Sequence, residues 1–139
     1  MAQKVFLSWK WVDEQLNTIG DKLENHELEF IAGIPRGGLI PAVMASHAFN
    51  IKYISYSSAK LLPKELRSKT LVIDDIADTG HTLKEAIELG FTTSTLAMRS
   101  GSESTPNFYG ELITDDRWLV FPWEKLDSIP VQDYLVNQK

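Results

Sequence analysis

Short apolar runs alternate with helix-like segments along most of this chain, and this alternation limits the fold more than any other feature. Runs typical of buried strands occupy residues 30–34, 51–57, 70–73 and 92–98. Segments between them carry apolar side chains at spacings of three and four residues. This order predicts an α/β domain in which a mostly parallel central sheet is flanked by helices on both faces.

Further elements are predicted at both ends of this pattern. Residues 4–7 favour a first strand, and Ser8 can then cap the first helix. Residues 39–49 and 82–89 predict two more helices, and strands are expected at 108–113 and around Trp118. The helix positions expected to face the core are Val12, Leu16, Ile19, Leu23, Ile40, Val43, Met44, Ala48, Leu83, Ala86 and Ile87.

Composition excludes several classes of protein. At 139 residues, with 43% hydrophobic and 24% charged residues, the chain fits one globular domain. A net charge of −5 argues against a broad nucleic-acid surface, and no run approaches the roughly 20 apolar residues of a membrane span. The absence of cysteine excludes disulfides and thiolate metal sites, and the N-terminus lacks a signal-peptide core. We therefore expect a cytoplasmic protein without nucleic-acid or membrane partners.

Two polar motifs follow predicted strands, at the sheet edge where open α/β folds bind ligands. "PRGG" occupies residues 35–38 and "DDIADTGHT" occupies residues 74–82. The turn at 78–82 offers amides, hydroxyls and a helix N-terminus to an anion such as phosphate. Three carboxylates beside a phosphate would repel it unless they face sugar hydroxyls, Mg²⁺ or a group that exchanges a proton. A phosphorylated sugar bound with Mg²⁺ satisfies these requirements.

Three blocks of sequence resemble one known family. "LVIDDIADTGHTL" resembles the loop with which type I phosphoribosyltransferases bind 5-phosphoribosyl-1-pyrophosphate (PRPP), and "IAGIPRGGLIPA" is similar to their pyrophosphate loop. "DDRWLVFPWE" is similar to the base-binding segment of bacterial xanthine-guanine phosphoribosyltransferases. The resemblance implies a single phosphoribosyltransferase domain over residues 1–139, a base-binding segment at about 98–139, and a homodimer or homotetramer.

The resemblance also implies a reaction and the residues that perform it. A purine base would displace pyrophosphate from PRPP in a Mg²⁺-dependent step, giving a nucleoside monophosphate for purine salvage. Asp78, as the proton-exchanging group, and Arg36, as the pyrophosphate clamp, are the expected catalytic residues. The expected PRPP-binding residues are Arg36, Gly37, Gly38, Asp74, Asp75, Ala77, Asp78, Thr79, Gly80, His81 and Thr82. We also expect the non-proline cis peptide that this family often has, at Pro35-Arg36.

The base pocket and a second metal position follow from the same resemblance. Trp118 would stack on the purine and Leu119 would offer backbone groups to it. Glu124 would lie near the purine's exocyclic substituent as a further base-binding residue, and it would join Asp74 and Asp75 as a metal ligand. The family usually places a lysine where this chain has Met98, and Arg99 is the nearest cation that could replace it at the base.

Other interpretations of these residues stay open. The connection at 57–69 is short for a lid that closes over an active site, which suits a protein that binds PRPP as a regulatory signal without turnover. The absence of lysine at position 98 leaves room for another base as acceptor. The aspartates could be turn and capping residues, and Trp118 could be a core aromatic residue.

Overall fold

The fold is that of a computed structural model, which describes residues 3–124. The predicted base-binding segment is therefore described as far as Glu124, and residues 125–139 lie outside the described part. The elements in chain order are β1 (Lys4–Phe6), α1 (Trp9–Lys22), β2 (Phe30–Gly33), α2 (Leu39–Phe49), β3 (Lys52–Tyr53), α3 (Tyr56–Ala59), α4 (Lys64–Arg67), β4 (Thr70–Ala77), α5 (His81–Glu88), β5 (Thr92–Arg99), β6 (Phe108–Ile113) and β7 (Trp118–Val120).

The predicted parallel sheet is present. Five strands pair in parallel in the order β3-β2-β4-β5-β6, and β1 pairs in parallel with β7 in a separate two-stranded sheet. In this order β3 lies on one side of β2, whereas β4, β5 and β6 follow in turn on the other side. The strand order therefore changes direction between the adjacent strands β2 and β4. The "PRGG" motif follows β2, whereas β4 extends to Ala77, beyond its predicted end at Ile73, and so includes the first four residues of the second motif. The two motifs still meet at the point where open α/β sheets bind ligands.

Helices cover both faces of the five-stranded sheet, as predicted. One core cluster joins α1 and α2 to the sheet and includes Val12, Leu16, Ile19, Ala42 and Ala45, each at most 3% exposed. The opposite cluster joins α3 and α5 to the sheet through residues such as Tyr56, Leu83 and Ala86. Ser8 caps α1 as predicted, because its hydroxyl accepts a hydrogen bond from the Trp11 amide at 3.0 Å.

The predicted inward face of α2 is wrong. Its buried residues are Pro41, Ala42 and Ala45, whereas Ile40, Val43 and Ala48 are exposed and Met44 is half-buried. This helix is apolar on every side, so periodicity does not select a face. Small side chains face the sheet instead, which allows the helix to pack closely against it. In α5, Leu83 and Ala86 are buried as predicted, but Ile87 is 39% exposed.

The connection after β3 differs from the expected strand and polar loop. The strand ends at Tyr53, and two short helices, α3 and α4, follow it. Arg67 donates to the carbonyls of Leu89 (2.7 Å) and Leu62 (2.8 Å), which ties α4 to the end of α5. The buried residues Tyr56 and Ala59 also hold this connection to the domain, whereas Leu61 is exposed and α4 has no buried residue. None of the helices within residues 3–124 has the length and apolar composition needed to cross a membrane.

Truncation of a core residue in α1 tests this packing. Ile19→Ala should lower the free energy of unfolding by about 2–5 kcal/mol, because it removes buried methylenes and leaves a cavity. Ile40→Ala is the matched control on α2, where the side chain is 38% exposed, and should cost less than about 1 kcal/mol. Chemical denaturation measures both changes. Equal losses would contradict the outward orientation of Ile40.

Candidate active site

The two polar motifs contact each other at the carboxyl ends of β2 and β4. The Ile34 amide donates to the Ile73 carbonyl at 2.9 Å, which joins the "PRGG" loop to β4. Gly37 lies so close to the Asp75 carboxylate that a side chain at position 37 would overlap it. The predicted cis peptide is present at Pro35-Arg36, and Arg36 is exposed at this bend. The loop predicted to bind pyrophosphate thus lies directly against the acidic loop.

Asp74 and Asp75 end the buried part of β4 in different surroundings. Asp74 is 4% exposed. One of its carboxylate oxygens accepts from the Asp75 amide and the other from the Thr82 hydroxyl, both at 2.9 Å. Asp75 is half-buried and accepts from the Ile76 amide at 2.8 Å through Oδ1. Asp74 therefore braces the start of α5, while Asp75 faces the "PRGG" loop.

The two adjacent carboxylates repel each other. Burial raises the pKa of Asp75 well above its ordinary value, and the charge of Asp74 raises it further. The charge of Glu124 adds to this shift. A bound cation or a hydroxyl donor would relieve this excess of negative charge.

The donor set suits Mg²⁺ only if other ligands complete it. Carboxylate oxygens are ligands that Mg²⁺ prefers, and it commonly takes one or two of them together with water and substrate phosphates. Within residues 3–124, no three His, Cys, Asp or Glu side chains are close enough together to hold a metal ion. Asp74, Asp75 and Glu124 therefore do not form a complete metal site by themselves.

The turn predicted to hold the phosphate connects β4 to α5. Gly80 has φ of 92°, a conformation that favours glycine, and a side chain there would collide with the backbone of Ser104. The Glu103 amide donates to the Thr79 carbonyl at 3.0 Å, so the loop after β5 packs against this turn. Thr79 and His81 are exposed. Two of the other predicted residues have internal roles, because the Ala77 side chain lies in the core and the Thr82 hydroxyl binds Asp74.

Asp78 pairs with Arg99, the residue predicted to replace the missing lysine. Arg99 Nε donates to Asp78 Oδ1 at 2.7 Å. The neighbouring Met98 packs against the core cluster that contains Ala77 and Leu83. Arg99, the cation at the end of β5, is therefore paired with Asp78, the carboxylate predicted to exchange a proton.

The predicted base-binding residues lie on β7 and the turn after it. Trp118 is half-buried and begins β7, where it pairs with Lys4 of β1. Leu119 has its side chain in the core, at 5% exposure, so only its backbone is left for a ligand. Glu124 Oε1 accepts from the Phe121 amide at 2.7 Å, which closes the turn after β7.

An aromatic cluster holds this segment against α1. Phe121 and Trp123 stack with ring centroids 5.1 Å apart, and Trp9 and Trp11 of α1 contact Trp123 and Phe121. The Trp11 indole also donates to Glu111 at 3.1 Å. These tryptophans of α1 are packing residues.

A cleft of about 460 Å³ opens beside the two motifs. Its lining residues are Gly33, Ile34, Pro35, Leu39, Tyr53, Ser55, Tyr56, Ser57, Lys60, His81, Thr82 and Glu85. The residues after β3 are absent from the predicted site, because the pattern at 51–57 is typical of one strand. A β3 that ended at Tyr53 would have placed Ser55 and Ser57 at the same ligand-binding edge.

The wall of the cleft formed by α3 is held by Glu85 of α5. Glu85 Oε1 accepts from the Tyr56 hydroxyl at 2.8 Å and from Lys60 Nζ at 3.3 Å. Burial and the bond to Glu85 raise the pKa of Tyr56 far above its ordinary value, so its phenol stays a donor. Hydroxyls and the cation Lys60 thus face the same space as His81 and Thr82, a combination that suits an anionic ligand.

Comparison with known proteins gives consistent relatives. A xanthine-guanine phosphoribosyltransferase of Nitratidesulfovibrio vulgaris is 30% identical, over 98% of this chain and 93% of its own. One from Idiomarina loihiensis is 27% identical over 88% of both chains. The crystal structure of a purine phosphoribosyltransferase from Pyrococcus horikoshii is 30% identical, with a TM-score of 0.74 over 94% of this chain and 99% of that one.

This chain belongs to the type I phosphoribosyltransferase family. The relatives above are purine phosphoribosyltransferases, which are enzymes. The family and the enzyme class expected from the sequence are therefore confirmed. The parallel sheet flanked by helices is also the fold of the structural relatives. None of the family models that were compared matches the sequence.

The acidic pair of this phosphoribosyltransferase should reduce its stability at neutral pH. The pKa of Asp75 is raised in the folded chain, so protonation of Asp75 favours folding. This contribution to the free energy of unfolding is fully present at pH values below the pKa of Asp75 in the unfolded chain. This contribution is lost as pH rises through the folded value. Asp75→Asn removes the charge, so it should raise the free energy of unfolding at pH 7. Denaturation at several pH values should show this gain disappearing below a pH of about 3.9.

Asp78→Asn is the matched control for this prediction. The same chemical change there removes the charge of the carboxylate that pairs with Arg99 and leaves only a neutral hydrogen bond, so it should lower stability at pH 7. Both variants are measured without Mg²⁺ or phosphate compounds, so that ligand binding does not contribute. A loss of stability in Asp75→Asn at neutral pH would contradict the repulsion inferred from the structure.

Proposed function

We propose that this protein transfers the phosphoribosyl group of PRPP to a purine base of the guanine, xanthine or hypoxanthine type. The products are a nucleoside monophosphate and pyrophosphate, and the reaction serves purine salvage. Relatives named xanthine-guanine phosphoribosyltransferase, matched over most of their length, support this choice of substrates. Location in the cytoplasm and assembly into a homodimer or homotetramer stay predictions.

The observation that carries the proposal is the contact between Gly37 and Asp75. It brings the "PRGG" loop against the acidic loop at the edge of adjacent strands. One PRPP molecule has a pyrophosphate and a 5′-phosphate on either side of its ribose hydroxyls. The two loops and the turn at 78–82 offer groups of matching chemistry in the same region.

In this proposal the chain's own residues hold PRPP at three points. Asp74 and Asp75 accept hydrogen bonds from the ribose hydroxyls, and the turn from Asp78 to Thr82 binds the 5′-phosphate. Arg36 and the backbone of the "PRGG" loop bind the pyrophosphate. As the bond from C1 to pyrophosphate breaks, negative charge develops on the leaving group, and Arg36 stabilises it there.

The base would be held by stacking and deprotonated by a carboxylate. Trp118 stacks on the purine while a ring nitrogen forms its bond to C1, and Asp78 accepts the proton that the ring loses. One or two carboxylates of the predicted set Asp74, Asp75 and Glu124 would hold Mg²⁺, and PRPP would supply further ligands. When bound, the ion supplies positive charge against the pyrophosphate.

One observation favours a second candidate, a PRPP-binding regulatory protein without turnover. The connection between β3 and β4 is short, and two of its cations tie it to other parts of the domain. Arg67 is bound to two carbonyls and Lys60 to Glu85. A long mobile lid that closed over the reaction would exclude water. This short connection, which is tied to the rest of the domain, is less able to close over the site in that way.

A turnover panel separates these candidates. Purified protein is incubated with PRPP, Mg²⁺ and, separately, guanine, xanthine, hypoxanthine, adenine, uracil and orotate, and nucleotide products are measured by chromatography. We expect a 6-oxopurine nucleotide. No product with any base, together with calorimetric binding of PRPP, would contradict the enzyme and support the regulatory protein.

Stacking of the base on Trp118 gives a second prediction. Trp118→Ala should raise the KM for the base by an amount equivalent to about 1–3 kcal/mol, because it removes one aromatic face from the pocket. The KM for PRPP should stay nearly unchanged. Tyr109→Ala is the control, since Tyr109 is a half-buried aromatic residue near the start of β6 that packs against Lys22. Equal changes in the two variants would argue against a stacking role.

A further inference from the structure

Arg99 joins two loops of the candidate site through a single guanidinium group. Its Nε donates to Asp78 Oδ1 at 2.7 Å, in the turn after β4. Its Nη1 donates to the Asp115 carbonyl at 2.8 Å and its Nη2 to the Arg117 carbonyl at 2.9 Å. Both carbonyls belong to the turn that leads into Trp118. All three nitrogens of this side chain are therefore donors to the site's own framework.

This ion pair is better shielded from water than a typical surface pair. The side chains of Arg99 and Asp78 are 17% and 25% exposed, compared with 34% and 52% for the nearby pair of Arg117 and Asp115. Shielded, charge-assisted hydrogen bonds are stronger and more directional than exposed ones. The bond of Arg99 can therefore restrict the orientation of the Asp78 carboxylate.

The planar guanidinium group suits this position better than lysine would. Its donors form a fixed fork that can reach a carboxylate on one side and two carbonyls on the other. An ammonium group is a compact charge without this geometry. Met98, at the position of the family's usual lysine, packs into the core between β4 and α5. Arg99 is thus the cation that faces the segment carrying Trp118.

We propose that Arg99 is a positioning residue that acts through Asp78 and through the turn before Trp118, and not by direct contact with the base. It orients the carboxylate that exchanges the proton and holds the stacking residue at a constant distance from it. This inference deepens the proposed function and rests on it for the roles of Asp78 and Trp118. It also assigns a use to the cation that follows Met98.

A double-mutant cycle tests this inference by steady-state kinetics. Arg99→Gln should lower kcat by about 10- to 100-fold, the cost of a misplaced catalytic group, with little change in the KM for PRPP. Asp78→Asn should lower kcat by roughly 100-fold or more. The double variant should be no slower than Asp78→Asn alone, because Arg99 acts through Asp78. Losses that multiply would overturn the inference.

The conservative variant separates the two contacts of Arg99. Arg99→Lys should recover part of kcat, since an ammonium group can still pair with Asp78. It should not recover the KM for the base, since it cannot also reach both carbonyls. Recovery of neither parameter together with normal thermal stability would contradict a positioning role, as would unchanged kcat in Arg99→Gln.

Arg67→Gln is the matched control. Arg67 is also a half-buried arginine that donates to two carbonyls, but it precedes β4, at the opposite end of that strand from Asp78. This variant should lose thermal stability and keep both kcat and the KM for the base. If Arg67→Gln lost as much kinetically as Arg99→Gln, the role of Arg99 would be only structural.

Hydrogen–deuterium exchange tests Arg99 independently of turnover. Arg99→Gln should increase exchange in peptides that cover residues 114–118, and Arg67→Gln should not. If the wild-type protein turned over no base, the proposed function would fail while faster exchange still supported the connection made by Arg99. Unchanged exchange in Arg99→Gln would overturn that connection whatever the activity.

Discussion

The parallel pairing of β2 with β4 is the constraint on which the rest of the site depends. The register aligns Gly33, the last residue of β2, with Ile73, so the loop after β2 lies beside the acidic end of β4 and both motifs share one edge. Gly38 packs against the Ile73 carbonyl and Gly37 against Asp75, at distances that exclude a side chain at either position. The geometry of the ligand loops is therefore set by backbone packing before any ligand binds.

This arrangement keeps two carboxylates together at the end of a buried strand. Asp74 is stabilised by hydrogen bonds from the Thr82 hydroxyl and the Asp75 amide, and so it supports the start of α5. Asp75 has fewer compensating contacts, and burial with the charge of Asp74 raises its pKa. In the proposed function, the chain gains a preformed acceptor site for sugar hydroxyls at some cost in stability, a common exchange at functional sites.

Local sequence patterns predicted the fold well where one face of an element is polar. The burial of α1 follows directly from the spacing of Val12, Leu16 and Ile19. The same method failed for α2, because Ile40 and Val43 are as apolar as the residues that face the sheet, and packing distance selects the alanines. It also missed α3, since the aromatic and β-branched residues before Ser55 favour a longer strand.

The candidate site was predictable from sequence as far as its motifs extend. The loops after β2 and β4 are continuous in sequence, so their residue types and order indicate their chemistry. Arg99 and Asp78 are 21 positions apart in the sequence, and no local pattern indicates a contact between them. The same is true of Glu85, which reaches across from α5 to hold Tyr56 and Lys60.

The segment that carries Trp118 is held from two directions, and this explains how a short strand can serve a binding site. Phe121 and Trp123 pack with the tryptophans of α1 beyond its end, and Arg99 binds the carbonyls just before its start. A two-stranded sheet alone is marginally stable. With both ends anchored, β7 can keep Trp118 at a constant position relative to Asp78, which the proposed stacking of a base on Trp118 requires.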